Sequence, residues 1–162
     1  MISRRSSRKP KQPPLADLEA RVFVSLLRTA DLLARGAEAL LKPYGLSGTQ
    51  YNILRILRGA GPEGLACREV GSRLISRDPD MTRLLDRMES RGWIARAREQ
   101  KDRRVVKTRI TGEGLRILAE LDAPVGELHR RQLQHMPEKQ LQQLNALLDG
   151  ARSGLESVES SG

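Results

Sequence analysis

Apolar side chains in the first quarter of the chain recur at steps of three and four residues, the period of an amphipathic helix. The stripe consists of Leu15, Leu18, Val22, Leu26, Ala30, Leu33, Ala37 and Leu40, widened by Phe23, Leu27 and Leu41. The pattern predicts one long helix that ends at Lys42-Pro43-Tyr44-Gly45, where proline and glycine stop it. So long a stripe exposes more apolar surface than a small domain can cover, so we expect a second chain to cover it.

Two shorter helices are predicted next. Ser47 and Gln50 have the spacing of a capping box, in which each side chain accepts a hydrogen bond from the other residue's backbone N–H. The helix that starts there should end in a loop from Gly59 to Gly64, and a short helix should follow from about Cys67 to Leu74.

A fourth helix is predicted by its cap and by one apolar face. We expect Asp78 to be its N-cap and Pro79 to occupy its first position, where the missing N–H costs nothing. Its buried face comprises Met81, Leu84, Leu85 and Met88. Gly92 should end the helix. A short helix, a turn and a capped helix with a polar outer face predict a helix-turn-helix.

Two short runs after this helix predict a β-hairpin. They are Trp93 to Arg98 and Val105 to Ile110, and the second alternates between two faces. From Arg96 to Arg109 there are seven cations and two anions, so the hairpin would be a basic wing. Thr111 should then cap a fifth helix that Pro124 kinks or splits, since an interior proline costs about 3 kcal/mol. A final helix opens near Pro137.

Charge and composition narrow the function. The 162 residues carry 29 Lys and Arg against 20 Asp and Glu, a formal net charge of +9 that favours a polyanionic partner. No apolar run approaches the roughly 20 residues of a membrane-spanning helix, and no secretory signal follows the basic N-terminus. The single cysteine, Cys67, cannot form an intrachain disulfide, so we expect the reducing cytoplasm as the compartment. We expect no cofactor and no metal site, and motifs of enzymes are lacking.

Cys67 and the two histidines allow two interpretations each. Cys67 could sense oxidants at a helix N-terminus, but a small buried residue is the interpretation we favour. His129 and His135 could bind a metal, but their spacing does not place them on one helical face, so structural or surface roles are favoured.

Two stretches of the sequence carry a family resemblance. The first runs from Asp78 to Ile94 (DPDMTRLLDRMESRGWI), and the second from Asp102 to Gly114 (DRRVVKTRITGEG). They resemble the recognition helix and the wing of the multiple antibiotic resistance regulator (MarR) family. The second follows the family pattern Asp-x-Arg, five residues, Leu-Thr-x-x-Gly, with Ile110 in place of leucine.

The resemblance implies a mainly α fold: a winged helix-turn-helix with a small β-hairpin wing and a helical dimerisation domain. The predicted parts are a dimerisation helix at 15–45, a DNA-binding lobe at 46–111, C-terminal dimerisation helices at 112–158 and a tail at 159–162. A disordered basic arm at 1–14 precedes them; its composition predicts it, since the segment has almost no apolar side chains to bury, and the family does not require it. The resemblance also implies a homodimer that binds duplex DNA, with the recognition helix in the major groove and the wing in the minor groove.

The expected DNA-binding residues lie on the recognition helix and the wing. The first turn of the recognition helix should meet base edges through Pro79, Asp80, Thr82 and Arg83. Arg77 and Arg87 are better placed for phosphates. The wing tip would supply Lys101, Asp102, Arg103 and Arg104. By motif position, the resemblance makes Arg104 the arginine that enters the minor groove and Asp102 the acid that steadies it.

Three hypotheses for the function remain open at this point. The first is a regulator, expected to repress at a pseudo-palindromic operator and to be released by a small aromatic or phenolic effector. Such an effector would lie between the dimer helices and the DNA-binding lobe, where Tyr44 and Tyr51 are expected lining residues. The second is a weakly specific architectural DNA-binding protein, suggested by the basic arm, and the third is a dimeric scaffold that binds protein.

Overall fold

The fold is known from a computed structural model that describes residues 17–76, 78–99 and 105–159. The chain divides into two compact units between Arg35 and Gly36. The helices are α1 Leu18–Leu41, α2 Gly48–Ala60, α3 Cys67–Ser72, α4 Met81–Ser90, α5 Gly112–Leu133 and α6 Glu138–Glu159. The strands are β1 Leu65–Ala66, β2 Ile94–Arg98 and β3 Val106–Ile110. The predicted basic arm, residues 1–14, lies outside the described residues, as do residues 160–162 of the predicted tail.

The long first helix and its stop are confirmed. α1 ends at Leu41, a single 3-10 turn covers Lys42–Tyr44, and Gly45 closes it with a φ of 65°. In the first unit, the described part of α1 leaves large apolar side chains exposed: Leu18, Val22, Phe23, Leu26, Leu27 and Leu32.

The start of α2 follows the predicted capping box. The Ser47 hydroxyl oxygen accepts from the Gln50 N–H at 3.2 Å, and Gln50 Oε1 accepts from the Ser47 N–H at 2.9 Å. The predicted loop start at Gly59 is wrong by two residues, because α2 continues to Ala60 before Gly61 turns the chain.

The sheet contains one strand that the sequence did not predict. β1 pairs with β3 (Leu65 opposite Thr108), and β3 pairs with β2, all antiparallel, in the order β1-β3-β2. Gly64 makes this pairing possible. It has a φ of 65°, and a Cβ there would lie 2.4 Å from the Thr108 carbonyl oxygen.

The core of the second unit is aliphatic, with Trp93 as its single buried aromatic side chain among the described residues. It joins residues of α2, α3, α4, β2 and α5, among them Leu54, Leu57, Val70, Leu85, Met88 and Leu118. The buried faces of the helices therefore position α4 and the hairpin, and their polar faces point outward.

Pro124 does not split the fifth helix, so that part of the prediction is wrong. α5 is continuous from Gly112 to Leu133. Leu121 and Val125 are buried on either side of the proline, and this packing holds the helix together although Pro124 cannot donate to the Glu120 carbonyl. The predicted cap is confirmed, since the Thr111 hydroxyl oxygen accepts from the Gly114 N–H.

The last helix begins where the sequence predicted, directly after Pro137. From its middle to its end it leaves Leu147, Leu155 and Val158 exposed. Within the described ranges, no helix is both long enough and apolar enough to cross a membrane. The mainly α fold, with a helix-turn-helix made by α3 and α4 and a hairpin made by β2 and β3, agrees with the predicted class.

Candidate nucleic-acid interface

The start of α4 differs from the predicted one. The helix begins at Met81, so Asp78 is not its N-cap and Pro79 is not its first residue. Asp78 Oδ1 instead accepts from the Asp80 N–H at 2.8 Å and closes a turn that ends directly before the helix. Aspartate side chains compete in this way with helical hydrogen bonds. Pro79 and Asp80 therefore precede the helix, and Thr82 belongs to its first turn.

The outer face of α4 presents two arginines. The Arg83 side chain is 82% exposed, and its Nε lies 3.5 Å from Asp80 Oδ2. Arg87, one turn later, is also exposed, and its Nε donates to the Arg83 carbonyl at 3.3 Å. Together with Asp80 and Asp86 they line a surface cavity of about 390 Å³. Thr82 is exposed as well. A guanidinium at this helix start could read guanine, and one further along could pair with phosphate.

The end of α4 is fixed by its backbone and by an arginine. Gly92 has a φ of 72°; its N–H donates to the Glu89 carbonyl at 2.8 Å, and the Trp93 N–H donates to the Met88 carbonyl at 3.1 Å. This is a Schellman motif, and it confirms the predicted stop. Arg91 has a structural role here, because its Nη1 donates to the Gly45 carbonyl at 2.8 Å and its guanidinium lies 4.9 Å from the Trp93 ring centroid.

The basic charge of the wing is partly neutralised within the fold. Arg96 pairs with Glu89 and Asp86 of α4. Lys107 Nζ lies 3.3 Å from Glu99 Oε1. The seven cations counted from Arg96 to Arg109 therefore do not all face a partner.

Arg109 and Arg98 complete the described cations of the wing. Arg109 Nε donates to the Pro62 carbonyl at 2.8 Å, which ties β3 to the turn after α2. Arg98, near the tip, is exposed.

Five of the expected DNA-binding residues lie outside the described residues. They are Arg77, Lys101, Asp102, Arg103 and Arg104. Their roles, including that of Arg104 in the minor groove, stay predictions. The described strands lead to and from this tip, since β2 ends at Arg98 and β3 begins at Val106.

A second cavity lies at the start of α2 and reaches the recognition helix. Its volume is about 560 Å³. Its charged lining comprises Glu38, Lys42, Asp78 and Arg87. Neither Tyr44 nor Tyr51 lines it; both are half-buried and pack against the core. Their assignment to an effector pocket stays a prediction.

Three ion pairs, in two places, connect the elements of the second unit and are not indicated by the sequence pattern. One is the cluster of Arg96 with Glu89 and Asp86. The other joins α2 to α5: Arg58 donates to both carboxylate oxygens of Asp122, at 2.8 and 3.0 Å. This pair raises the pKa of Arg58 and lowers that of Asp122, mainly through the hydrogen bonds between them. Its members are 64 residues apart in the chain, so no local pattern could have indicated it.

Comparison with known proteins decides the family. A solved structure, a MarR transcription factor from Planctomyces limnophilus, is 38% identical in sequence, and the match covers 84% of this chain and 98% of that one, with a TM-score of 0.65. The chain belongs to the MarR family. The sequence model of the MarR family matches residues 44–105, which include the helix-turn-helix. The resemblance recognised in the sequence is thereby confirmed.

Other relatives of this MarR-family chain are regulators by name. The HTH-type transcriptional regulator PecS of Dickeya dadantii is 29% identical over 137 residues, which are 83% of this chain and 82% of PecS. The S. aureus MepR–DNA complex matches in fold, with a TM-score of 0.73 at 18% identity over 85% of this chain and 98% of MepR. Membership places the chain among winged helix-turn-helix transcriptional regulators, which are DNA-binding proteins and not enzymes.

Proposed function

We propose that this MarR-family chain represses transcription as a homodimer that binds a pseudo-palindromic DNA operator sequence-specifically. The observation that carries the proposal is the outer face of α4, where Thr82 and Arg83 in the first turn and Arg87 one turn later are exposed, while the opposite face is packed into the core. Guanidinium and hydroxyl groups are suited to the edges of guanine and thymine in the major groove.

Exposed apolar side chains support the homodimer. On α1 a row of apolar side chains that includes Leu18 and Phe23 is exposed to solvent, and α6 leaves Leu147, Leu155 and Val158 exposed.

 The exposed fraction is 62% for Phe23 and 61% for Leu18 on α1, and 73% for Leu147 on α6. Apolar rows of this kind are covered in stable proteins, and a second copy of the same chain covers them symmetrically. A dimer of this kind would present two copies of α4 to a two-fold symmetric site on DNA.

Release by an effector is part of the proposal. The cavity of about 560 Å³ has the size of a small-molecule site and is lined by Lys42 and Arg87, which could pair with the carboxylate of an aromatic acid. Arg87 belongs to the recognition helix. A ligand that binds more tightly when this helix is in one placement than in another would shift the population of the DNA-binding form.

The proposal is tested by selection of duplexes from a random pool with the purified full chain, at two salt concentrations. A repressor should enrich one symmetric sequence and retain at physiological salt an affinity for it about 10³-fold or more above that for random DNA. Affinity that is uniform across sequences and collapses with salt would favour architectural binding instead. No binding at either salt concentration would favour the protein scaffold.

A further inference from the structure

One arginine of the wing is turned back onto the recognition helix. Arg96 Nε and Nη2 donate to Glu89 Oε2 at 2.9 and 2.7 Å, and the Arg96 backbone N–H donates to Glu89 Oε1 at 2.9 Å. Nη2 also donates to Asp86 Oδ1. The Arg96 side chain is only 23% exposed. These bonds connect the first strand of the wing directly to the C-terminal half of α4.

The charges of α4 show what this contact achieves. The helix contains two arginines, Arg83 and Arg87, and two acids, Asp86 and Glu89, so that it carries no net formal charge by itself. An acid on a surface that meets DNA repels the phosphates. Both acids accept hydrogen bonds from Arg96, whose single positive charge offsets part of their two negative charges. With Arg96 included, α4 therefore carries a formal charge of +1 instead of zero.

The geometry of the contact also limits how the wing can move. Two donors of one guanidinium edge share Glu89 Oε2, and the Arg96 backbone N–H holds Oε1, so three hydrogen bonds from one residue engage both oxygens and fix direction as well as distance. The hydrogen bonds of Arg96 lower the pKa of Glu89 below its ordinary value, which favours the ionised carboxylate that accepts them. A helix in one groove and a wing in the next can bind together only if the angle between them is kept.

We propose that Arg96 is a positioning residue for DNA binding, which sets the wing against the recognition helix and offsets part of the negative charge of the two acids of α4, and that it is not a phosphate contact. The inference rests on the proposed function. It predicts that Arg96 contributes to the discrimination between DNA sequences, whereas an exposed cation of the same strand contributes only to general affinity.

The test compares Arg96→Met with Arg98→Met in the full chain, since Arg98 is the exposed cation two residues further along β2. The probes are a labelled duplex that the wild-type protein enriches from a random pool and a duplex with the same bases shuffled. Arg96→Met should lower the affinity for the enriched duplex by about tenfold or more, and that for the shuffled duplex much less. Arg98→Met should weaken both equally and reduce the salt slope by about one.

The inference is overturned if Arg96→Met weakens both duplexes by the same factor with a shallower salt slope, since Arg96 would then act as a phosphate contact. If Arg96→Met does not melt cooperatively, Arg96→Lys decides: it keeps the charge but not the planar fork, and it should still lose discrimination. Wild-type discrimination in Arg96→Lys would overturn the proposal. A wild-type protein that enriches no duplex would overturn the proposed function itself and this inference with it, and that failure is visible without any variant.

Discussion

Arg91 Nη1 donates a hydrogen bond of 2.8 Å to the carbonyl oxygen of Gly45, and so ties the end of the recognition helix to the turn that follows α1. The same guanidinium lies over the Trp93 ring. Replacing Arg91 by Met should lower the free energy of unfolding by about 1–2 kcal/mol, because a charged hydrogen bond and a cation–π contact are both lost. Urea denaturation measures this. Arg83→Met, which removes a side chain that is 82% exposed, is the control and should change stability little; equal losses in the two variants would contradict the role of Arg91.

A second prediction concerns two glycines in different surroundings. Gly64→Ala should destabilise the fold by at least about 2 kcal/mol, because the new Cβ would lie 2.4 Å from the Thr108 carbonyl oxygen at a positive φ. Gly59→Ala in α2 meets no atom within 4 Å and should stabilise it by about 0.5–1 kcal/mol. Thermal unfolding of both variants checks the pair. A stable Gly64→Ala protein would mean that β1 does not approach β3 as described.

Pro124 is the clearest destabilising residue of α5. Pro124→Ala restores a donor for the Glu120 carbonyl in a continuous helix and should raise the free energy of unfolding by about 1–3 kcal/mol. Thermal unfolding followed by circular dichroism measures the effect. A lower melting temperature would show that the proline shapes α5 in a way that the rest of the fold requires.

The Arg58–Asp122 pair predicts a pH dependence of stability. The pKa of Asp122 is lowered from its ordinary value of 3.8 in the folded chain, mainly by the hydrogen bonds from Arg58. The pair therefore contributes its full stabilisation above pH 3.8 and loses it as the pH falls through the lower pKa of the folded state. Wild type should exceed Asp122→Asn in stability at neutral pH, and the difference should vanish in strong acid. Urea denaturation at several pH values would contradict this if the difference were constant.

Local signals in the sequence were sufficient for most of the helix ends. The helix ends at Ser47, Gly92 and Thr111 depend on contacts within one backbone turn or within four residues along the chain. The neighbouring sequence therefore determines where these helices begin and end. The start of α4 was misplaced because Asp78 can cap either a helix or the turn that it closes here, and both use the same side-chain oxygen.

Long-range contacts could not be predicted in the same way. β1 has only two residues and exists because Leu65 lies opposite Thr108, far along the chain. The partner of Arg96 was missed for a related reason. Its charge was counted with the basic wing, and only the turn at Gly92, which folds β2 back along α4, brings it to Glu89.

Footprinting with dimethyl sulfate tests the central claim most directly, because this reagent methylates guanine N7 in the major groove and adenine N3 in the minor groove. On a duplex enriched by the full chain, we expect protected guanines in two half-sites. The centres of the half-sites should lie one helical turn apart, about 10 base pairs, or a multiple of that distance. Arg83→Ala should abolish some of these protections and leave the dimer intact. A duplex bound without protected guanines, or with one asymmetric patch, would contradict the account.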